Sequence, residues 1–145
     1  MGHFATGVTV VTTTSNEQLT GLTVNAFTSL SLEPPLVLVC IHQQAQSHGP
    51  LTHAGLFAVN ILSDTQEYLS RRFASSSTAK FLEGEYRISE HGLPLLEGVL
   101  ATLECRLVNT LPGGDHTIFV GEVISAQVHQ GCPLLYYRSG YRQVG

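Results

Sequence analysis

The sequence predicts a mainly β protein, an antiparallel barrel rather than an alternating βαβ sheet. Segments rich in β-branched and aromatic residues outnumber those with helical patterning, and the turn signals between them are closely spaced. A continuous apolar run, residues 36–41 (LVLVCI), follows Glu33-Pro34-Pro35 and is short enough for a strand buried on both faces.

The elements follow in order. Residues 8–14 (VTVVTTT) are β-branched throughout, and Ser15-Asn16-Glu17-Gln18 supplies a turn, so the product with the next extended stretch, 19–27, is a β-hairpin. Gly21 lets the backbone of that stretch lie open to something other than a side chain. A polar connector then carries Thr28, Ser29 and Ser31 to the apolar run, with Pro34-Pro35 as a rigid turn. Residues 43–50 read as polar and irregular, 51–55 as a short helix and 57–62 (FAVNIL) as a core strand. Ser63 or Asp64 is placed to cap a helix containing Tyr68, Leu69 and Phe73, with Glu67 near its start and Arg71 and Arg72 in its last turn, an order that suits the helix dipole. Ser75-Ser76-Ser77-Thr78 reads as a loop and 86–89 as a weak extended piece. Two long strands, 97–109 and 117–128, are joined by Leu111-Pro112-Gly113-Gly114-Asp115, and 134–137 is a last short strand. No internal repeat stands out.

With 145 residues the chain is about one domain, long enough for its own core. Hydrophobic residues make up 43% against 12% charged, and the mean hydropathy is +0.14. Part of that apolar surface is expected in a ligand pocket or between two copies of the chain, so a homodimer is expected. A net charge of −4 argues against nucleic acid, which is bound mainly through basic patches. The longest apolar runs fall far short of a membrane span, and Met1-Gly2-His3-Phe4 lacks the basic flank and apolar core of a signal peptide. Cys40, Cys105 and Cys132 form no CxxC pair and are odd in number, which fits reduced cysteines in the cytoplasm.

Several chemistries have no motif here. No Gly-x-Gly-x-x-Gly opens a helix after a strand, and there is no P-loop, Gly-x-Ser-x-Gly elbow or His-Glu-x-x-His. His42, His48, His53 and His129 have no spacing that forces a shared metal, so none is expected. What remains is a density of small hydrogen-bonding groups, Thr23, Asn25, Thr28, Ser29 and Ser31, beside a core strand. Small residues admit a flat ligand to the main chain, whose N–H groups then act as donors. Of only seven Lys and Arg, three fall within ten residues, Arg71, Arg72 and Lys80, which makes them the candidate anchors for a ligand anion. Ser47 can add a hydroxyl there, and Phe73 and Phe81 stand next to these cations. His116, at a Gly-Gly turn before a strand, can project into an open cleft. Tyr137 and Tyr141 are candidates to pack against a ligand or a second copy of the chain.

The phrase GLTVNAFTSLSLEPPLVLVC resembles the flavin-binding segment of the short-chain flavin reductase family, the reductase components of two-component monooxygenases. HFATGVTVVTT, FAVNIL, YLSRRFA, GGDHTIFVGEV and PLLYYRSGY extend the likeness over nearly the whole chain, in the family's order. The resemblance implies one flavin reductase-like, FMN-binding domain over residues 1–145. Its fold would be a split β-barrel of Greek-key type with a few peripheral short helices. It implies an NAD(P)H:flavin oxidoreductase that passes hydride from NADH or NADPH to FMN or FAD and supplies reduced flavin to a separate monooxygenase. Thr23, Val24, Asn25, Ala26 and Ser29 would line the flavin ring and ribityl chain. Ser47, Arg71, Arg72, Phe73, Lys80, Phe81 and Tyr137 would complete the cofactor site, and His116 would stand by the nicotinamide as a positioning and hydrogen-bonding group. The family often has a Ser/Thr-rich turn where this chain has Gln46-Ser47-His48-Gly49-Pro50, and usually a helix before HFATGVTVV, on which this sequence almost begins. A non-catalytic flavin-binding or redox-carrier module of the same barrel is the competing expectation. An oxidase resembling the pyridoxamine-phosphate oxidases would call for more basic residues than seven.

Overall fold

A computed structural model describes all of residues 1–145. After β1 (Thr6–Gly7), strands β2 (Thr9–Ser15) and β3 (Gln18–Val24) form the expected hairpin. Its two turn residues, Asn16 and Glu17, both have positive φ, 52° and 65°, as a tight two-residue hairpin turn requires. Then come β4 (Phe27–Ser31), β5 (Leu36–His42), α1 (His48–Ala54), β6 (Leu56–Ile61) and α2 (Glu67–Ala74). The chain ends with β7 (Tyr86–Ile88), β8 (Pro94–Leu96), β9 (Ala101–Gly113), β10 (His116–Val128), β11 (Leu134–Tyr137) and β12 (Gly140–Gln143).

Seven strands form one antiparallel sheet in the order β3-β2-β6-β9-β10-β5-β4, and β1-β11-β12 and β7-β8 form two small sheets. The first and last strands of the large sheet, β3 and β4, are consecutive in sequence and separated only by Asn25-Ala26. Two edges held that close force the sheet to curl round on itself, which gives a barrel opened along one seam, the split barrel. The curl is helped by register shifts in the β9–β10 ladder at Val120/Gly121 and Val123/Ser125.

Inside the barrel Val11, Val39, Ile41, Phe57, Val59, Cys105 and Phe119 are almost fully buried. A second cluster, Val8, Val10, Leu62, Leu69, Phe73, Leu96, Val99 and Leu134, fixes α2 and β8 against the sheet. The fully buried amide of Asn60 is satisfied. Its Nδ2 donates to Val10 O at 2.9 Å and to Thr12 Oγ1 at 3.1 Å, while its Oδ1 accepts from the Leu96 N–H at 2.9 Å.

Several local expectations are corrected. The stretch containing Thr28, Ser29 and Ser31 is the edge strand β4, not a connector, because it pairs with β5 even though it buries little. Strand β5 is buried on one face only: Val37, Val39 and Ile41 point inward, while Leu36 and Cys40 are half-buried on the other side. Helix α1 begins at His48 rather than Leu51, since a proline in the first turn loses no intrahelical hydrogen bond. Helix α2 begins at Glu67, later than a cap at Ser63 or Asp64 would give. Ser63 to Gln66 instead close a turn, in which the Gln66 N–H donates to Ser63 O and the Ser63 N–H to Gln66 Oε1. Strand β9 starts at Ala101 and runs on through Pro112 to Gly113, so the joining turn shrinks to Gly114-Asp115. Strands β1, β8 and β12 had no recognisable pattern of their own.

Candidate functional site

The seam carries a trough formed by a series of depressions that share walls. At one end Ser15, Gln18, Thr20, Gln46, Ser47, Lys80 and Phe81 border a polar recess of about 360 Å³. Ser47, Gln46 and Lys80 belong also to the next, of about 390 Å³, with Thr23, Phe73, Ala74 and Ser76. Thr23 and Ala74 lead to a third, beside Ser70, Tyr136 and Tyr141. Asn25 connects that one to the apolar end, where Phe4, Thr6, Phe27, Thr28, Leu38 and Cys40 lie. Asn25 thus borders three of these depressions, at the point where the chain crosses from one edge strand to the other. Edge strands leave a row of peptide groups outside the ladder, so the trough offers main-chain donors and acceptors along its length.

Hydroxyl chemistry fixes the walls. Thr23 Oγ1 donates to Ser70 O at 2.6 Å and ties α2 to β3, and Ser70 Oγ shares a 2.6 Å hydrogen bond with the Tyr141 hydroxyl. Ser47, buried, shares one of 2.8 Å with Thr20 Oγ1. Thr6 Oγ1 is buried with no hydrogen-bond partner, the single side-chain atom of the protein in that position, and Thr6 borders the apolar end of the trough with Asn25, Phe27 and Thr28. An orphan hydroxyl of this kind costs stability unless something else meets it. A flat polar heterocycle lying along 25–28 would do so, and the residues present therefore fit a flavin.

The cations divide sharply. Arg71 Nε donates to Glu67 Oε2 at 2.7 Å, and its guanidinium lies 4.9 Å from the centre of the Tyr141 ring. The Glu67 hydrogen bond, and after it the Glu67 charge, raise its pKa from the usual guanidinium value. Arg72 is paired with Glu85. Each is taken up by a glutamate and neither borders the trough, so of the three expected cations Lys80 alone lines it. That side chain makes no ion pair, donates to Phe73 O at 3.3 Å, and has its pKa pulled below 10.5 by burial.

Of the residues picked out in the sequence, Thr23, Asn25, Ala26, Ser47, Phe73, Lys80 and Phe81 border the trough. Val24 is buried, and its carbonyl already accepts from Thr9 Oγ1, so its side chain is core. Ser29 is exposed on β4. Tyr137 points to the other side of β11 from Tyr136, because successive strand residues alternate, and it is Tyr136 that borders the trough. His116 lies outside it, at the start of β10, where Asp115 Oδ1 is 2.7 Å from its Nδ1 and the His42 ring is 5.1 Å away, centre to centre. Sequence reasoning did not find Phe4, Thr6, Ser70, Ala74, Tyr136 or Leu38. HFATGV pointed at the right segment, but an unpartnered hydroxyl is a fact of three dimensions.

No cluster of three or more His, Cys, Asp or Glu side chains is arranged to hold a metal. A barrel split along one seam, with an elongated slot running from a lysine to a flat apolar end, defines a split-barrel protein built for a long, flat, anionic ligand. The flavin reductase like domain model matches residues 1–145, and the chain belongs to that family. It is 43% identical over 141 residues to the reductase component of 4-nitrophenol 4-monooxygenase/4-nitrocatechol 2-monooxygenase from Rhodococcus opacus, covering 97% of this chain and 76% of that one. It is also 43% identical to an NADH-dependent FMN reductase of Agrobacterium fabrum, over 94% of this chain and 78% of the relative. Among solved structures, the NADH:FAD oxidoreductase of Streptomyces globisporus C-1027, in complex with NAD and FAD fragments, superimposes with a TM-score of 0.95 at 42% identity, covering 99% of this chain and 88% of that one.

Proposed function

We propose that the protein is an NAD(P)H-dependent flavin reductase that takes hydride from a reduced nicotinamide onto FMN or FAD and supplies the reduced flavin to a separate monooxygenase. The observation that carries this reading is the trough itself, with an orphan Thr6 hydroxyl and unladdered peptide groups at one end and the unpaired Lys80 toward the other. When bound, the flavin supplies the hydride-accepting ring, so the protein's share is to bind, orient and leave one face open.

Each residue has a defined task in that scheme. Lys80 and the Ser47 hydroxyl hold phosphate, with Gln46 and Ser76 beside them. Thr23, Asn25, Ala26 and Thr28 follow the ribityl chain and ring edge, Val24 only through its main chain. Phe73 and Phe81 close the wall behind the phosphate, packed edge to face with ring centres 5.1 Å apart. Arg71 and Arg72 act at most through long-range charge, and Ser29 and Tyr137 act only if a second protomer brings them near a trough. The chain works as a homodimer, for which exposed Phe4, Leu30 and Leu32 provide apolar surface. Three unpaired cysteines suit a cytoplasmic setting, and no helix is long and apolar enough to cross a membrane.

Steady-state oxidation of NADH, with FMN and FAD added separately, tests this function. Turnover should need flavin and rise with its concentration. A protein that binds flavin but oxidises no reduced nicotinamide is a redox carrier, and that result overturns the proposal.

A further inference from the structure

The turn between β9 and β10 brings the neighbouring residues Asp115 and His116 beside His42, which is distant from both in sequence. His42 is the last residue of β5 and pairs with His116, the first of β10. The segment after β5 also grips the turn through its main chain, where the Gln43 N–H donates to Asp115 O at 2.9 Å. Asp115 is therefore fixed by its backbone to Gln43, the residue next to His42.

Two hydrogen bonds decide which ring nitrogens carry protons. His42 Nδ1 accepts the Gln44 N–H at 3.0 Å, so in the neutral ring the proton sits on Nε2, and that nitrogen is 3.8 Å from Asp115 Oδ2. The other carboxylate oxygen, Oδ1, is 2.7 Å from His116 Nδ1. An ionised carboxylate only accepts, so His116 donates from Nδ1 and presents Nε2 as a bare acceptor. The carboxylate is indeed kept ionised: first the His116 hydrogen bond, then the charges of His116 and His42, hold Asp115 below its usual range of 3.8. Asp115 is otherwise 76% exposed and free to turn to water. The remaining histidine of this corner, His48 on α1, is directed at Thr117 Oγ1, 2.8 Å away, and takes no part. No Lys, Arg or Glu pairs with any of the three.

We propose that His42 is a positioning residue for His116, acting through the Asp115 carboxylate that lies between the two rings. His42 holds one oxygen in place so that the other keeps the His116 proton on Nδ1. His116 Nε2 then accepts a hydrogen bond, and the group it suits is a carboxamide N–H such as the nicotinamide's. That last step rests on the flavin reductase reading; the tautomer does not.

Ring ¹⁵N chemical shifts of His116 in the ligand-free protein, at about pH 8.5 where an ordinary imidazole is neutral, test the placement. Wild type should be mainly Nδ1–H. His42→Val, at a half-exposed strand end, should shift His116 toward Nε2–H by about two- to fivefold in the tautomer ratio, the scale of an exposed charged contact. His42→Gln, whose amide can still donate to Asp115, should restore it. In parallel, H42V should raise KM for NADH by a similar factor with kcat little changed. An unchanged His116 tautomer in H42V overturns the proposal whatever the kinetics. A wild-type protein without NADH oxidation overturns the reductase reading and leaves the tautomer result to decide this one.

Discussion

Lys80 is the chain's single lysine, and it stands where the trough needs a cation while both neighbouring arginines are neutralised by Glu67 and Glu85. Replacing Lys80 with Met should weaken FMN binding about 10- to 100-fold, the scale of one charged hydrogen bond, and leave riboflavin binding unchanged in calorimetric titration. Burial lowers the Lys80 pKa, so its charge is lost at a lower pH than that of a free lysine. FMN affinity should therefore fall as pH rises toward 10.5, and K80R should hold its affinity further into alkali. Equal losses for FMN and riboflavin in K80M would show that Lys80 supports the wall, not the phosphate. The cysteines give a second residue-scale prediction. Cys132 is exposed, Cys40 half-buried, and Cys105 fully buried beside Glu104, with burial first and that charge second pushing its thiol up to about 12. A thiol reagent at neutral pH should label Cys132 first and Cys105 only on unfolding, as a stoichiometric count with and without urea will read. The sequence disclosed the lysine and the hydroxyl-rich stretch, because charge and residue type are local. It did not disclose which of three neighbouring cations was free, since the glutamates that occupy the arginines are set by the fold.

Helix α2 reaches the trough only because β3 has no side chain at Gly21. A β-carbon there would come within 2.9 Å of Phe73 Cε1, and Phe73 is almost fully buried. Gly21→Ala should cost about 1–3 kcal/mol in urea denaturation, as overpacking does, and weaken flavin binding as well because α2 carries Phe73 and Ala74 into the wall. Stability lost with affinity intact would mean that the ring yields without moving the helix. The hairpin β2–β3 was legible because its β-branched run and polar turn are both contiguous in sequence. Strand β4 was not, for FTSLS alternates poorly and becomes a strand only by pairing with β5. The start of α2 was missed for a related reason: Gln66 turns its side chain back to the Ser63 N–H and donates to Glu97 O, a long-range contact that spends the cap before the helix begins.

On the scale of the whole molecule, antiparallel barrel character followed from counting strands and turns, and the split from the family resemblance. The physical cause of the split, two edges of one sheet joined by Asn25-Ala26, needs the strand order, which no local pattern contains. No strand ladder joins β3 to β4 across the gap. Whatever lodges there acts as a clasp, so ligand occupancy and barrel closure are one equilibrium seen from two sides. Adding FMN should slow amide hydrogen exchange in β3 and β4 well before it affects β9, and should raise the melting temperature with ligand concentration. Exchange slowed uniformly, or only around Lys80, would mean that the gap stays unfastened when the phosphate is held.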